Sequence, residues 1–181
     1  MSVVEEILEL YERGGSEAYF GEDVTQLQHA LQTAYWAVEA GADNELVVAA
    51  LLHDVGHLVG GSFHAELGVV DHDKSSVEWL RARGFSERLI ALVSGHVDAK
   101  RYLVASKREY AAALSPTSAR TLELQGGPMS AEKATQFEES PFFRDLLRLR
   151  AWDERAKDPA ADVPGIGTYA NRIAAVVRSG S

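Results

Sequence analysis

Two histidines and an aspartate, His53-Asp54 and His57, fall within five residues. Imidazole suits iron and zinc, and carboxylate suits harder ions, so His-Asp at the end of an apolar helix makes half a metal site. His57 follows His53 by four residues, which on a continuing helix turns both rings to one side. Taken alone, such a pair reads more simply as core or capping histidines. Four further candidate ligands change the balance: His29, His72, His96 and Asp153. They lie on separate predicted helices or helix ends, which is how helical bundles assemble internal metal sites. Six ligands over-supply a single ion that must keep a position open for chemistry. Two ions bridged by Asp54 is the economical arrangement.

These residues need helices to carry them, and the apolar spacing supplies helices almost everywhere. Val3–Arg13, with Val4, Ile7, Leu8 and Tyr11 on one face, predicts a first amphipathic helix that stops at Gly14-Gly15. Val24–Glu39 predicts a second, which carries His29. Asp43 or Asn44 caps a third, the apolar run Glu45–Leu52 that delivers His53-Asp54. Periodicity is lost from Leu58 to Asp71, a loop holding His64, which reads as a solvent residue. His72 stands before a helix over Asp73–Arg83. Ser86 caps one long helix running through Leu103, with His96 and Lys100 on one face. Ser106–Leu114 is helical. Ser115-Pro116 restarts the chain as cap and first helical residue, leading to Ser118 and Gln125. Ser130–Glu138, Phe142–Lys157 with Arg150 and Asp153 on one face, and Thr168–Arg178 complete the chain. No period-2 strand run and no repeat is present. The expectation is an all-α fold, one domain over residues 1–181, with an internal dinuclear metal site.

Composition narrows the function classes. The chain has 181 residues, 46% of them hydrophobic, and no cysteine, which removes disulfides, thiolate ligands and cysteine nucleophiles. The formal net charge of -9 argues against a nucleic-acid partner, which needs a basic footprint. No apolar run is long enough to span a bilayer and the first residues have no signal pattern, so no membrane association and a cytoplasmic location are expected. A small anion would need local cations against this overall field.

At this point the sequence resembles a known family. His29, His53-Asp54 and Asp153 match the pattern of HD-domain metal-dependent phosphohydrolases, and His72 and His96 fit the dinuclear branch. The likeness is nearest to the mixed-valent diiron oxygenases of the PhnZ/TmpB group, which cleave carbon–phosphorus bonds, and more distant to myo-inositol oxygenase. It runs over nearly the whole chain. Its pieces are Tyr19-Phe20-Gly21-Glu22 with Gln26 and His29, Gly41-Ala42-Asp43-Asn44-Glu45 and Ala49-Ala50-Leu51-Leu52-His53-Asp54. Further on come Gly95-His96 with Lys100-Arg101-Tyr102-Leu103-Val104, Leu124-Gln125-Gly126-Gly127-Pro128-Met129, and Arg150-Ala151-Trp152-Asp153-Glu154.

The resemblance implies one iron on His29, His53, Asp54 and Asp153. It implies a second on His72, His96 and the bridging Asp54, with Tyr19 a labile ligand whose switch Glu22 supports. His57 would contact bound substrate, while Lys100, Ser118, Gln125 and Arg150 would hold phosphonate oxygens. Arg150 offers a fork, Lys100 a point charge, and Ser118 and Gln125 neutral donors, which suits a dianion. The implied activity is iron- and O2-dependent cleavage of a 1-hydroxy-2-(amino or trimethylammonio)ethylphosphonate to phosphate and glycine or glycine betaine. The loop Leu58 to Asp71 departs from the family in length and composition and could border the amine end of the substrate. Two other classes compete: a phosphohydrolase acting on a small phosphate ester, and a non-catalytic HD-fold ligand sensor. The sequence does not decide between monomer and homo-oligomer.

Overall fold

Helix starts in this chain are written by short polar side chains. In the computed structural model, which describes residues 1–19, 21–60 and 75–177 with side chains and the backbone of 63–64, 68–69 and 72–74 between them, each early cap is engaged. Ser2 and Thr25 form full capping boxes ahead of α1 (Val3–Gly14) and α2 (Gln26–Glu39). Asp43 accepts from the Leu46 amide and opens α3 (Asn44–Leu52). The chain then turns through His53 to Val55 before α4 (Gly56–Val59), so His53 and His57 do not share one continuous helix. Beyond Gly60 the described backbone holds a two-residue antiparallel pair, Phe63–His64 with Gly68–Val69, inside the stretch expected to be pure loop. Two residues are too few to leave an alternating pattern in a sequence.

The second half continues with α5 (His72–Ala82), α6 (Glu87–Ser94), α7 (His96–Ser106), α8 (Arg108–Ala113) and α9 (Pro116–Leu124). It ends with α10 (Ala131–Glu138), α11 (Phe143–Arg155), a 3-10 turn Ile166–Tyr169, and α12 (Ala170–Val176). The long helix expected from Ser86 to Leu103 is two helices broken at Gly95. A β-carbon at Gly95 would lie 2.7 Å from Leu146 Cδ2 and 2.8 Å from the Ala91 carbonyl, so close packing of α11 requires glycine there. The break puts His96 at the first position of a new helix.

Helix α3 is the centre of the packing. Leu46 to Leu52 are all buried, which is why this helix has no polar face. It packs against α2, α6, α11 and α12. Burying each Val or Leu there contributes about 1.5–3 kcal/mol. One cluster of buried side chains runs from Ile7 in α1 to Ile173 in α12. Tyr11 donates to the Leu51 carbonyl at 2.7 Å, satisfying a carbonyl near the end of α3 that has no helical partner. That bond steadies the turn where His53 and Asp54 leave the helix. The fold is all-α apart from the short strand pair, and no helix among the described residues is long and apolar enough to cross a membrane.

Candidate metal centre

Three histidine rings turn the same nitrogen inward, and their outer nitrogens explain how. His29 Nδ1 lies 2.8 Å from the Ala156 carbonyl, His53 Nδ1 2.8 Å from the Ala50 carbonyl, and His96 Nδ1 2.6 Å from the Val93 carbonyl. A carbonyl only accepts, so each Nδ1 carries a proton and each ring turns its Nε2 inward. This fixing of tautomer and ring direction is what outer-shell partners do for metal-bound histidines.

The inward atoms converge. His29 Nε2 and His53 Nε2 are 3.1 Å apart, and Asp153 Oδ1 is 3.3 Å from the former and 3.9 Å from the latter. His29, His53 and Asp153 offer ligand atoms all within 4.8 Å of one another, and all three residues are buried. At 3.1 Å the two Nε2 atoms need a proton or a metal cation between them. The electrostatics make the same demand. Burial alone would depress the His53 imidazole, but Asp54 and Asp153 outweigh it and push its pKa up to about 9. Asp153 is buried, which would raise it, yet Arg150 and His29 hold it well below the usual carboxylate range. The donor set therefore fits a divalent cation, whose charge would take the place of that proton.

Asp54 faces two ways. Its Oδ2 lies 3.3 Å from His53 Nε2 and 3.7 Å from His29 Nε2, while its Oδ1 lies 3.3 Å from His96 Nε2. His57 Nε2 is 4.0 Å from the same Oδ1. The carboxylate is thus shared between the His29–His53–Asp153 group and the His96 side. The side chains of His72 and His64 lie outside the described residues.

Tyr19 closes the first group. Its ring stacks on His29 with centroids 3.9 Å apart, and its hydroxyl donates to Asp54 Oδ2 at 2.9 Å. Burial and the Asp54 carboxylate push this phenol well above its ordinary pKa, so it is held as a neutral donor. The hydroxyl lies on the side of Asp54 shared with His29 and His53, whereas the resemblance assigns Tyr19 to the metal of His96. Glu22 reaches Tyr19 only through the backbone, its amide donating to the Tyr19 carbonyl at 2.9 Å. Its carboxylate instead accepts from Ser115 Oγ at 2.6 Å and pairs with Lys157 at 3.1 Å.

The residues expected to hold an anion divide into three situations. Lys100 is only 4% exposed, although a helix lysine in so acidic a chain would ordinarily be solvated. Among the described residues its hydrogen bond goes to Thr121 Oγ1 at 3.0 Å and it makes no ion pair. Burial, with Arg150 nearby, lowers its pKa to about 7. Arg150 is engaged on one side, Nη1 to Asp153 Oδ2 at 2.5 Å and Nε to the Tyr110 hydroxyl at 2.7 Å, while Nη2 ion-pairs with Glu154 and has no hydrogen-bond partner among the described residues. In this arrangement it orients Asp153. Ser118 is buried and accepts from Lys157 Nζ at 3.2 Å. Gln125 ends α9, and its Oε1 is buried with no hydrogen-bond partner among the described residues.

Four residues that the sequence analysis passed over join this neighbourhood: Tyr110, Thr121, Glu154 and Lys157. One signal was available for two of them. Arg150, Asp153, Glu154 and Lys157 follow the spacing i, i+3, i+4, i+7, a charged stripe on one helix face. Nothing local marks Tyr110 or Thr121.

Comparison with known proteins fits this geometry. The HD-domain family profile matches residues 27–133, which takes in His29, His53, Asp54 and His96 but stops short of Asp153. A dioxygenase of Leisingera caerulea named for [1-hydroxy-2-(trimethylamino)ethyl]phosphonate and for forming glycine betaine is 36% identical, over 97% of this chain and 91% of its own length. A hydroxymethylphosphonate dioxygenase of Gimesia maris is 34% identical, over 94% of this chain and 86% of its own. An uncharacterized protein of Acanthamoeba polyphaga mimivirus is 37% identical, over 93% of this chain and 78% of its own.

Proposed function

The chain belongs to the HD-domain family, in its PhnZ/TmpB-like oxygenase branch, and from that premise we propose that it is a diiron dioxygenase that cleaves the carbon–phosphorus bond of a small 1-hydroxyalkylphosphonate. The substrate is a 1-hydroxy-2-(amino or trimethylammonio)ethylphosphonate. Its C1 is oxidised with one O2, the C–P bond breaks, and the products are inorganic phosphate and the carboxylic acid, glycine or glycine betaine. The observation that carries this reading is the buried, ion-pair-free Lys100 beside a buried His/Asp centre. A lysine kept out of water next to a metal site, bonded only to a hydroxyl among the described residues and with its pKa lowered by burial, is arranged for an anion that arrives later and restores its charge.

His29, His53, Asp54 and Asp153 would hold one iron. His96, His72 and the other oxygen of Asp54 would hold the second. When bound, the two irons supply the redox chemistry with O2 that no side chain of this protein can perform. The chain's own residues bind and orient. Lys100 and Ser118 take phosphonate oxygens, Gln125 donates from its amide, and Arg150 adds a donor if Glu154 releases it. His57, on the Oδ1 side of Asp54, contacts the C1 end. Tyr19 guards the other oxygen of the same carboxylate.

The test is phosphate release by iron-loaded protein, with and without O2, from three compounds: the amino and trimethylammonio hydroxyethylphosphonates and hydroxymethylphosphonate. Oxygen-dependent phosphate release from one of the first two is expected. Release that persists under argon would replace the reading with hydrolysis, and purified protein with no tightly bound metal would favour a ligand sensor.

A further inference from the structure

Lys157 lies just past α11, where its ammonium joins three parts of the chain that are distant in sequence. Nζ is 3.1 Å from Glu22 Oε1, 3.2 Å from Ser118 Oγ, 3.4 Å from Ser115 Oγ and 3.6 Å from Glu154 Oε2. An ammonium has three N–H donors. Two of them reach the serine hydroxyls and the Glu22 carboxylate lies at ion-pair distance, so an anion arriving beside Ser118 competes with Glu22 for this charge.

One of these partners governs the segment that carries Tyr19. The described residues on either side of Tyr19 are tied together, the Tyr19 amide donating to the Val24 carbonyl at 2.8 Å and the Gln26 amide to the Glu17 carbonyl at 2.9 Å. Gly21 rests on the start of α9. It has φ +68, and a β-carbon there would sit 2.4 Å from Thr117 Oγ1, so only glycine lets the chain approach this closely. Thr117 Oγ1 donates to the Gly21 carbonyl at 3.1 Å, and Ser115 Oγ donates to Glu22. Lys157 supplies the ion pair in this set, at 3.1 Å from the Glu22 carboxylate.

We infer that Lys157 is a positioning residue that exchanges the Glu22 carboxylate for an oxyanion of the substrate bound at Ser118, and so frees the segment carrying Tyr19 when the anion site fills. This deepens the function proposed above and rests on Ser118 belonging to the phosphonate site. Once a dianion sits against Ser118, the Glu22 carboxylate is left near a like charge and has lost its cation. Glu22 then moves off, taking with it the turn whose amide holds the Tyr19 carbonyl. Tyr19 leaves Asp54 only when a substrate is present.

The experiment is hydrogen exchange of the peptide covering residues 17–26 in iron-loaded protein under argon, where no turnover occurs, with and without hydroxymethylphosphonate or inorganic phosphate. Binding of each probe is measured by calorimetry in the same samples. In the wild type, ligand should speed exchange of this peptide by roughly tenfold, the equivalent of one charged hydrogen bond. Lys157→Met should exchange at the fast rate without ligand and respond no further. Lys157→Arg, which keeps the charge, should restore slow exchange and the response to ligand. The inference is overturned if Lys157→Met keeps wild-type protection, or if ligand binds the wild type and leaves the peptide unchanged or slower. If the wild type binds neither probe, the phosphonate reading itself falls and this inference falls with it.

Discussion

Helices α3 and α9 both bring polar groups to the site, but they are built on opposite terms. Helix α3 is buried along its apolar run, and of the groups it delivers, His53 is pinned by the Ala50 carbonyl and Asp54 by the Tyr19 hydroxyl and the histidines around it. Helix α9 is exposed along most of its length, and its polar groups face other side chains: Ser118 faces Lys157, Thr121 faces Lys100, and Gln125 Oε1 faces nothing that bonds it. A metal centre needs ligands that do not move, and packing plus carbonyl bonds provides that. An anion site needs contacts that can be traded for those of the ligand, and hydroxyls and lysines on a lightly packed helix provide that. The acidic chain reserves three of its cations, Lys100, Arg150 and Lys157, for this one place.

The contrast can be broken first at the rigid end. Asp54→Asn removes the carboxylate shared between the two groups of histidines. It should cost more than about 100-fold in metal affinity, because losing even an outer-shell partner costs up to that order. Elemental analysis of the purified variant checks this, and full metal content would mean that Asp54 is not the shared ligand.

The pliable end should break differently. Lys100→Met should weaken phosphonate binding by roughly 10- to 150-fold, the worth of one charged hydrogen bond, and leave the metal content alone. Its effect on folding should have the opposite sign. Since burial lowers the Lys100 pKa to about 7, the unfolded chain binds the extra proton between that pH and the ordinary lysine range. Lys100 therefore makes the wild type gain stability as pH rises through that window, and below it the full cost of the buried charge is present. Denaturant melts of metal-free protein across that window should rise with pH in the wild type and lie flatter in Lys100→Met. By the same linkage, an anion that restores the charge should draw in a proton at pH 8, seen as calorimetric heats that differ between buffers.

A third change tests whether packing, not sequence, sets His96. Gly95→Ala pushes a methyl group into Leu146, an overpacking that should cost about 1–3 kcal/mol and shift His96 away from Asp54. A lowered Tm together with reduced metal content is expected; a lowered Tm with full metal content would separate the helix break from the site. The smallest effect should come from Tyr19→Phe, which deletes one hydrogen bond to Asp54, worth about 1 kcal/mol. The variant should keep its metal and lose Fe(II) to oxidation faster in air without substrate. Equal oxidation rates would return Tyr19 to a packing role against His29.

The sequence by itself determined the helical class, most helix starts and the ligand types. Caps such as Asp43, Ser86 and Ser115 act on amides three residues away, and the apolar run of α3 states its own burial, so these are readable locally. Resemblance to the family supplied the ligand set and its division between two irons, but not the packing that brings the ligands together. Only the tertiary structure decided that His29 meets Asp153, 124 positions further on, because α2 packs on α11 and the Ala156 carbonyl accepts a hydrogen bond from His29 Nδ1. It also decided the break at Gly95, where Leu146 of another helix packs close, the turn that separates His53 from His57, and the meeting of Lys157 with Glu22. Hydrogen bonds along one helix obey spacings that a sequence displays. Contacts between helices depend on which faces the whole core selects, and no local spacing records that choice.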